Sequence, residues 1–141
     1  MGTINVAKVF VGGLLAGLVI NVAEFLFNGV LFAEDMMAAM QALGKGSEMG
    51  TQQMVVWIVY GFVLGILAVW VYAAVRPRFG AGPKTAAVAG VVVWALAYLM
   101  PTVGYWNMDL FPARLLAIGV VWGLVELVVA TVAGAWAYKE A

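Results

Sequence analysis

Apolar residues run along this chain in four long blocks separated by short polar breaks. The blocks cover about 5–32, 52–75, 84–104 and 112–138. Each meets the roughly 20 residues that a helix needs to cross a bilayer. Between the first two blocks, about 34–43, the period is that of a short amphipathic helix. Met36, Met37, Met40 and Leu43 share one side, and Gly44 suits its stop. The segment is too short to span and is expected to lie along the interface. The pattern predicts an all-α fold: a four-span transmembrane helix bundle with a short outer amphipathic helix, in one membrane domain over 1–141.

The breaks have local causes. Gly44, Lys45, Gly46, Glu48 and Gly50 make a polar gap before the second block. Arg76 to Lys84 reads as a tight basic turn, with Pro83 placed for the first turn of the next helix. Pro101 and Gly104 are expected to end or kink the third span. Asp109 is expected to cap the fourth, because its carboxylate accepts from free backbone N–H groups.

Composition supports lipid as the solvent. Of 141 residues, 66% are hydrophobic and 10% charged, against about half and about a quarter in soluble domains. Histidine and cysteine are both absent. That excludes disulfides, thiolate or imidazole metal sites and histidine-ligated haem, and no cofactor is expected. A formal net charge of zero argues against a nucleic-acid surface. No catalytic triad, phosphate loop, dinucleotide fingerprint or zinc signature is present, so an enzyme is not expected.

Orientation follows the positive-inside rule. Lys8, Arg76, Arg78, Lys84 and Lys139 fall on one side, and Lys45 and Arg114 on the other. Both termini and the Arg76–Lys84 turn are expected in the cytoplasm.

Candidate chemistry lies inside the spans. Gly13, Gly17, Asn21, Glu24 and Asn28 are spaced four, four, three and four residues apart, so they share one face of the first helix. Ionisable groups in a span are costly and by default suggest function. Glu126 sits in the fourth span, below Gly119 and Gly123. At about 1.5 Å per residue, Glu24 lies about 12 Å and Glu126 about 21 Å below the outer ends of their spans. The two are expected to meet in one polar seam, where at least one keeps its proton. With the amides of Asn21 and Asn28, the pair is a proton site or a hard-cation site. The bland alternative is a protonated glutamate tying two helices together. Arg114 is the nearest cation, one or two turns above Glu24.

Three G-x-x-x-G pairs, Gly13/Gly17, Gly61/Gly65 and Gly119/Gly123, let helix backbones approach closely in lipid. Packing within one bundle is the plain expectation; the sharper one is a homo-oligomer interface at Gly61/Gly65. The outer methionines Met36, Met37 and Met40 either fill an irregular apolar surface or bind soft Cu(I). Trp122 stands one turn before Glu126, where its N–H can serve the carboxyl or simply pack.

The run Gly61 to Gly80, GFVLGILAVWVYAAVRPRFG, continued by Gly82-Pro83-Lys84-Thr85, resembles small bacterial four-helix integral membrane proteins of unknown function. So does a polar first span followed by Leu31-Phe32 and a Met/Ala-rich outer helix. The resemblance implies the topology above and no activity. Ala23-Glu24 is similar to the acidic motif of the small multidrug resistance exporters, which share the size, the four spans and a glutamate in the first. The flanking residues, Glu126 and a longer outer loop depart from that family.

Two functions are carried forward. One is a small homo-oligomeric transporter or channel handling a proton or cation at Glu24 and Glu126. The other is a non-catalytic subunit of a larger membrane complex. In both, the lipid bilayer is the surrounding partner.

Overall fold

In a computed structural model the chain is described over residues 2–46 and 49–139. Glu48, expected in the polar gap, lies outside the described residues. Helix α1 (Val6–Leu26) continues through a π turn (Phe27–Leu31). The short α2 (Ala33–Ala42) and the long α3 (Thr51–Phe79) follow. Helix α4 (Pro83–Trp94) runs through a second π turn (Ala95–Leu99) into α5 (Met100–Asn107), and α6 (Ala113–Ala137) closes the bundle. Four continuous helical segments, Val6–Leu31, Thr51–Phe79, Pro83–Asn107 and Ala113–Ala137, are long and apolar enough to cross a membrane.

Helix α1 packs between α3 and α6, and α4 packs on α6 and α3. Small residues set these crossings. A Cβ added at Gly65 would land on the backbone of Gly13 and Gly17, and one added at Gly13 would lie 2.5 Å from Ile66 Cα. The first two glycine pairs therefore form one antiparallel crossing of α1 and α3 inside the bundle. Gly61/Gly65 faces its own chain, which removes it as a homo-oligomer interface. Two further crossings rest on glycines outside the G-x-x-x-G pairs: Gly12 against Gly134 between α1 and α6, and Gly90 against Leu127 O between α4 and α6. The core beneath is correspondingly fine-grained, with Val9, Ala16, Ile20, Ala68, Val69, Ala89, Leu127 and Ala130 buried. Leu14, Leu18, Val22 and Phe25 make an exposed row on α1 at helical spacing, an apolar face of the kind that suits lipid.

Several boundaries differ from expectation. Helix α3 runs to Phe79, through Arg76, Pro77 and Arg78. Pro77 sits in the last turn, where only one backbone bond is lost. The turn itself is Gly80 to Gly82, whose φ values of 87° and 132° at the two glycines suit residues without a Cβ. Span three does not end at Pro101. Proline clashes with the carbonyl four residues back, here Ala97, and the helix answers by widening into the π turn at Ala95–Leu99. It then continues to Asn107. Asp109 does not cap α6. It adopts φ 53° in the tight turn after α5, and Pro112 occupies the cap position instead. Aspartate tolerates this left-handed backbone better than most residues.

The two ends of the bundle differ. At the end carrying both termini and the five basic residues, the Asn5 N–H donates to Tyr138 Oη at 3.2 Å. The Gly82 N–H donates to Tyr72 Oη, also at 3.2 Å, and the Arg76 guanidinium lies 5.6 Å from the Tyr138 ring centroid. At the other end α2 docks across the bundle. Ala39 is buried beside Phe27 and Leu115, with Met36, Phe32, Phe111, Ile118 and Trp122 packed around them. Met40 is half-buried, but Leu43 is exposed. The helix stops at Ala42, so Leu43 falls in the turn before Gly44 and leaves the docking face.

Candidate functional site

The site forms where α1 and its π turn meet the second π turn and α6. Glu24 comes from α1 and is half-buried; Glu126 comes from α6 and is only 4% exposed. Between them stands Tyr98, carried by the second π turn. Its hydroxyl lies 2.6 Å from Glu126 Oε1 and 2.9 Å from Glu24 Oε1. The two carboxyls thus share one seam, with a phenol as the bridge.

Local structure explains the placement. The Tyr98 ring rests on Gly123, one turn before Glu126: a Cβ there would sit 2.5 Å from Tyr98 Cδ1. Gly123 is therefore a seat for an aromatic ring rather than a helix-crossing residue. Gly119 makes only an ordinary contact with Phe27, at 3.8 Å from an added Cβ. Trp94, one turn before Tyr98, donates its Nε1–H to Val120 O at 2.8 Å and ties α4 to α6 beside the site. On α1, Asn28 Nδ2 donates to the Glu24 carbonyl at 3.0 Å and to Glu24 Oε2 at 2.8 Å. A side-chain donor on a carbonyl four residues back competes with the helix's own bond. The helix widens here, and the Phe32 N–H reaches Phe27 O in the π pattern. Both π turns flank the site, a frequent location for such irregularities.

The amides play unlike roles. Asn28 Nδ2 faces two acceptors, which fixes the nitrogen toward Glu24. Asn21 does not join the carboxyls. Its Nδ2 donates to Gly17 O at 2.9 Å and across the crossing to Ile58 O at 3.2 Å. Arg114 is also elsewhere: exposed at the far end, it lines a shallow cavity with Asp35, Ala38 and Pro112 under α2.

Donors therefore converge on the carboxyl oxygens. Asn28 takes Glu24 Oε2, and Tyr98 stands between the two Oε1 atoms. Glu126 Oε2 is buried without a hydrogen-bond partner, as is Trp122 Nε1. The Trp122 indole completes no hydrogen bond to the Glu126 carboxyl. Its ring packs on Phe27 at 5.6 Å. A hard cation needs several oxygens turned inward. Here N–H and O–H groups point at those oxygens, a set that suits an exchangeable proton. Among the described residues no group of three or more acidic, histidine or cysteine side chains is placed to hold a metal.

Below the site toward the basic end lies the apolar core already described. Its buried polar side chains, Thr131 and Thr85, are satisfied locally by Leu127 O at 2.6 Å and Phe79 O at 3.3 Å. No polar chain connects the carboxyls to that end among the described residues.

Of the methionines, Met36 is committed to packing and Met40 is half-buried, while Met37 is 45% exposed. Cu(I) titration of the purified protein is expected to give the same signal in wild type and in a variant with Met36, Met37 and Met40 all changed to Leu. A binding step lost in the triple variant would restore the metal role.

Tyr98 is the residue that pattern reading did not single out. Its signal was present: a phenol nine residues inside the Asn107 end of the third span and one turn after Trp94. Comparison with protein-family models, with curated proteins and with solved structures finds no match for this chain.

Proposed function

We propose that this protein is a small membrane transporter that handles a proton at the Glu24–Glu126 pair. One observation carries the proposal: carboxyls from the first and last apolar spans converge on a single hydroxyl inside the bundle. Intramembrane acids are costly, and a purely structural link needs one polar pair, not two acids and a phenol. The facing Asn28 nitrogen favours a proton over a metal cation. Glu24 is half-buried, and among the described residues no polar chain runs from the carboxyls toward the basic end, an arrangement that suits access from the other side. One-sided access suits a carrier that alternates rather than an open channel.

The proposed setting is a bacterial inner membrane with both termini in the cytoplasm, supported by the basic residues gathered at one end. A cysteine at Gly46 is expected to react with an impermeant reagent added outside cells, and one at Ala81 to be spared. The reverse pattern would invert the orientation. The transport test is proton uptake by purified protein in liposomes, read with an entrapped pH dye under an imposed gradient. A rate no higher than that of empty liposomes would refute transport.

A second role, as a non-catalytic subunit or a self-associating protomer, has one observation in its favour. Thr51–Tyr60, three turns of α3 including Trp57 and Tyr60, are exposed throughout. Crosslinking from position 57 that yields a discrete dimer or a defined partner would support it.

A further inference from the structure

We infer that Tyr98 is a proton relay, loading at Glu24 and delivering to Glu126; the inference rests on the proton-handling role proposed above. The geometry demands a proton count. A phenol carries one proton and donates once. Its oxygen is nevertheless within hydrogen-bond distance of two carboxyl oxygens, at 2.9 and 2.6 Å. With both acids ionised, one of those contacts would bring two bare acceptors together. One acid therefore holds a proton and donates it to Tyr98 Oη, while Tyr98 donates onward to the other.

The neighbours decide which oxygen bears that proton. Glu24 Oε2 is taken by Asn28 Nδ2 at 2.8 Å, so a proton on Glu24 sits on Oε1, facing Tyr98. On Glu126 the oxygen that meets Tyr98 Oη is Oε1, at 2.6 Å, so a proton held there has an acceptor facing it. A proton on Glu126 therefore also sits on Oε1, facing Tyr98. Two arrangements result, and they interconvert by one concerted shift. The Glu24 Oε1–H bond breaks as H–Oη forms; the original Oη–H bond breaks as H–Oε1 of Glu126 forms. Tyrosine ends neutral, and the negative charge moves from Glu126 to Glu24. No water, metal or outside base is needed.

Burial gives the relay a direction. Glu24 is half-buried and meets the surroundings, whereas Glu126 is 4% exposed. Protons are exchanged with the outside at Glu24 and held at Glu126. Tyr98 is kept in register by Gly123 beneath its ring and by the π turn that carries it.

The test uses the full chain in liposomes. Tyr98→Phe keeps the ring on Gly123 and removes only the hydroxyl. Two quantities are read: proton flux, and the rise of the Glu126 carboxylic C=O infrared band after an acid jump, assigned by its loss in Glu126→Gln. Tyr98→Phe is expected to slow both by about tenfold or more in a protein that still folds, with a lowered thermal unfolding midpoint because the buried Glu126 carboxyl loses its hydroxyl partner. Gly123→Ala, which displaces the ring and leaves the hydroxyl, is expected to slow both as well and serves if the phenylalanine variant does not fold. Wild-type kinetics of the band in either folded variant overturns the relay. If the wild type carries no flux but its band kinetics depend on Tyr98, the relay stands and the transport role falls. Flux and band kinetics that are both indifferent to Tyr98 leave transport standing and remove the relay.

Discussion

Replacing Glu24 by glutamine is expected to abolish proton movement through the protein and leave the fold intact. Glutamine occupies the same volume and satisfies the same neighbours. Its Nε2 donates to Tyr98 Oη where the protonated acid would, and its Oε1 accepts from Asn28 Nδ2, now 2.8 Å from Glu24 Oε2. Tyr98 still donates to Glu126. Every hydrogen bond survives, yet the donor at position 24 no longer exchanges. A positioned proton carrier contributes about 10²–10⁴-fold to a rate, so flux is expected to fall by about a hundredfold or more. Stability is expected to change by no more than about 0.5 kcal/mol, the range of substitutions that leave contacts in place. Dye-reported proton uptake in liposomes measures the first and thermal unfolding in detergent the second. Wild-type flux in a folded Glu24→Gln variant would show that the carboxyl pair is structural. Glu126→Leu, by contrast, removes one of the two carboxyls that meet the Tyr98 hydroxyl and leaves it to Glu24 alone; it is expected to cost about 0.5–1.5 kcal/mol of stability.

Changing Gly65 to valine is expected to have the largest effect on folding. An added Cβ at this position meets backbone atoms of Gly13 and Gly17, and neither can swing aside as a side-chain tip can. Helices α1 and α3 must separate. Separation breaks the Asn21 bond to Ile58 O at 3.2 Å and draws Glu24 and Asn28 away from Tyr98. Overpacking in ordinary cores costs about 1–3 kcal/mol, and a contact of backbone on backbone belongs at or above the top of that range. Gly104→Ala is the control, since nothing lies within 4 Å of an added Cβ there. It is expected to be neutral or slightly stabilising, because alanine favours helix by up to about 1 kcal/mol over glycine. Unfolding midpoints of the two variants in one detergent measure the contrast. Equal midpoints would mean that the crossing is looser than the geometry shows.

The spans and the outer helix were readable because lipid imposes a strong filter. Backbone groups must be satisfied within each segment, so long apolar blocks become helices whatever their neighbours. The first glycine pair and the polar stripe were readable for a related reason, since a helix period places residues on one face without tertiary information. The same period allowed Glu24 and Glu126 to be set at compatible depths. What it failed to do is instructive. Asn21 and Asn28 share the stripe with Glu24, yet Asn21 bonds to α3 and only Asn28 reaches the carboxyl. Gly119 and Gly123 look like a crossing motif, yet Gly123 holds an aromatic ring.

The number of spans, their polarity and the presence of buried acid follow from local composition, because each depends on one helix meeting one solvent. The partners of each acid do not, because they depend on which face meets which neighbour. Two π turns sharpen that dependence. Each inserts extra backbone into the helical repeat, so face counting slips in phase across Phe27–Leu31 and Ala95–Leu99. Tyr98 sits inside one of these slips. Its aim at both Glu24 and Glu126 arises from Pro101 widening the helix, Gly123 clearing a seat and α1 lying close enough to α6 to bring the carboxyls together.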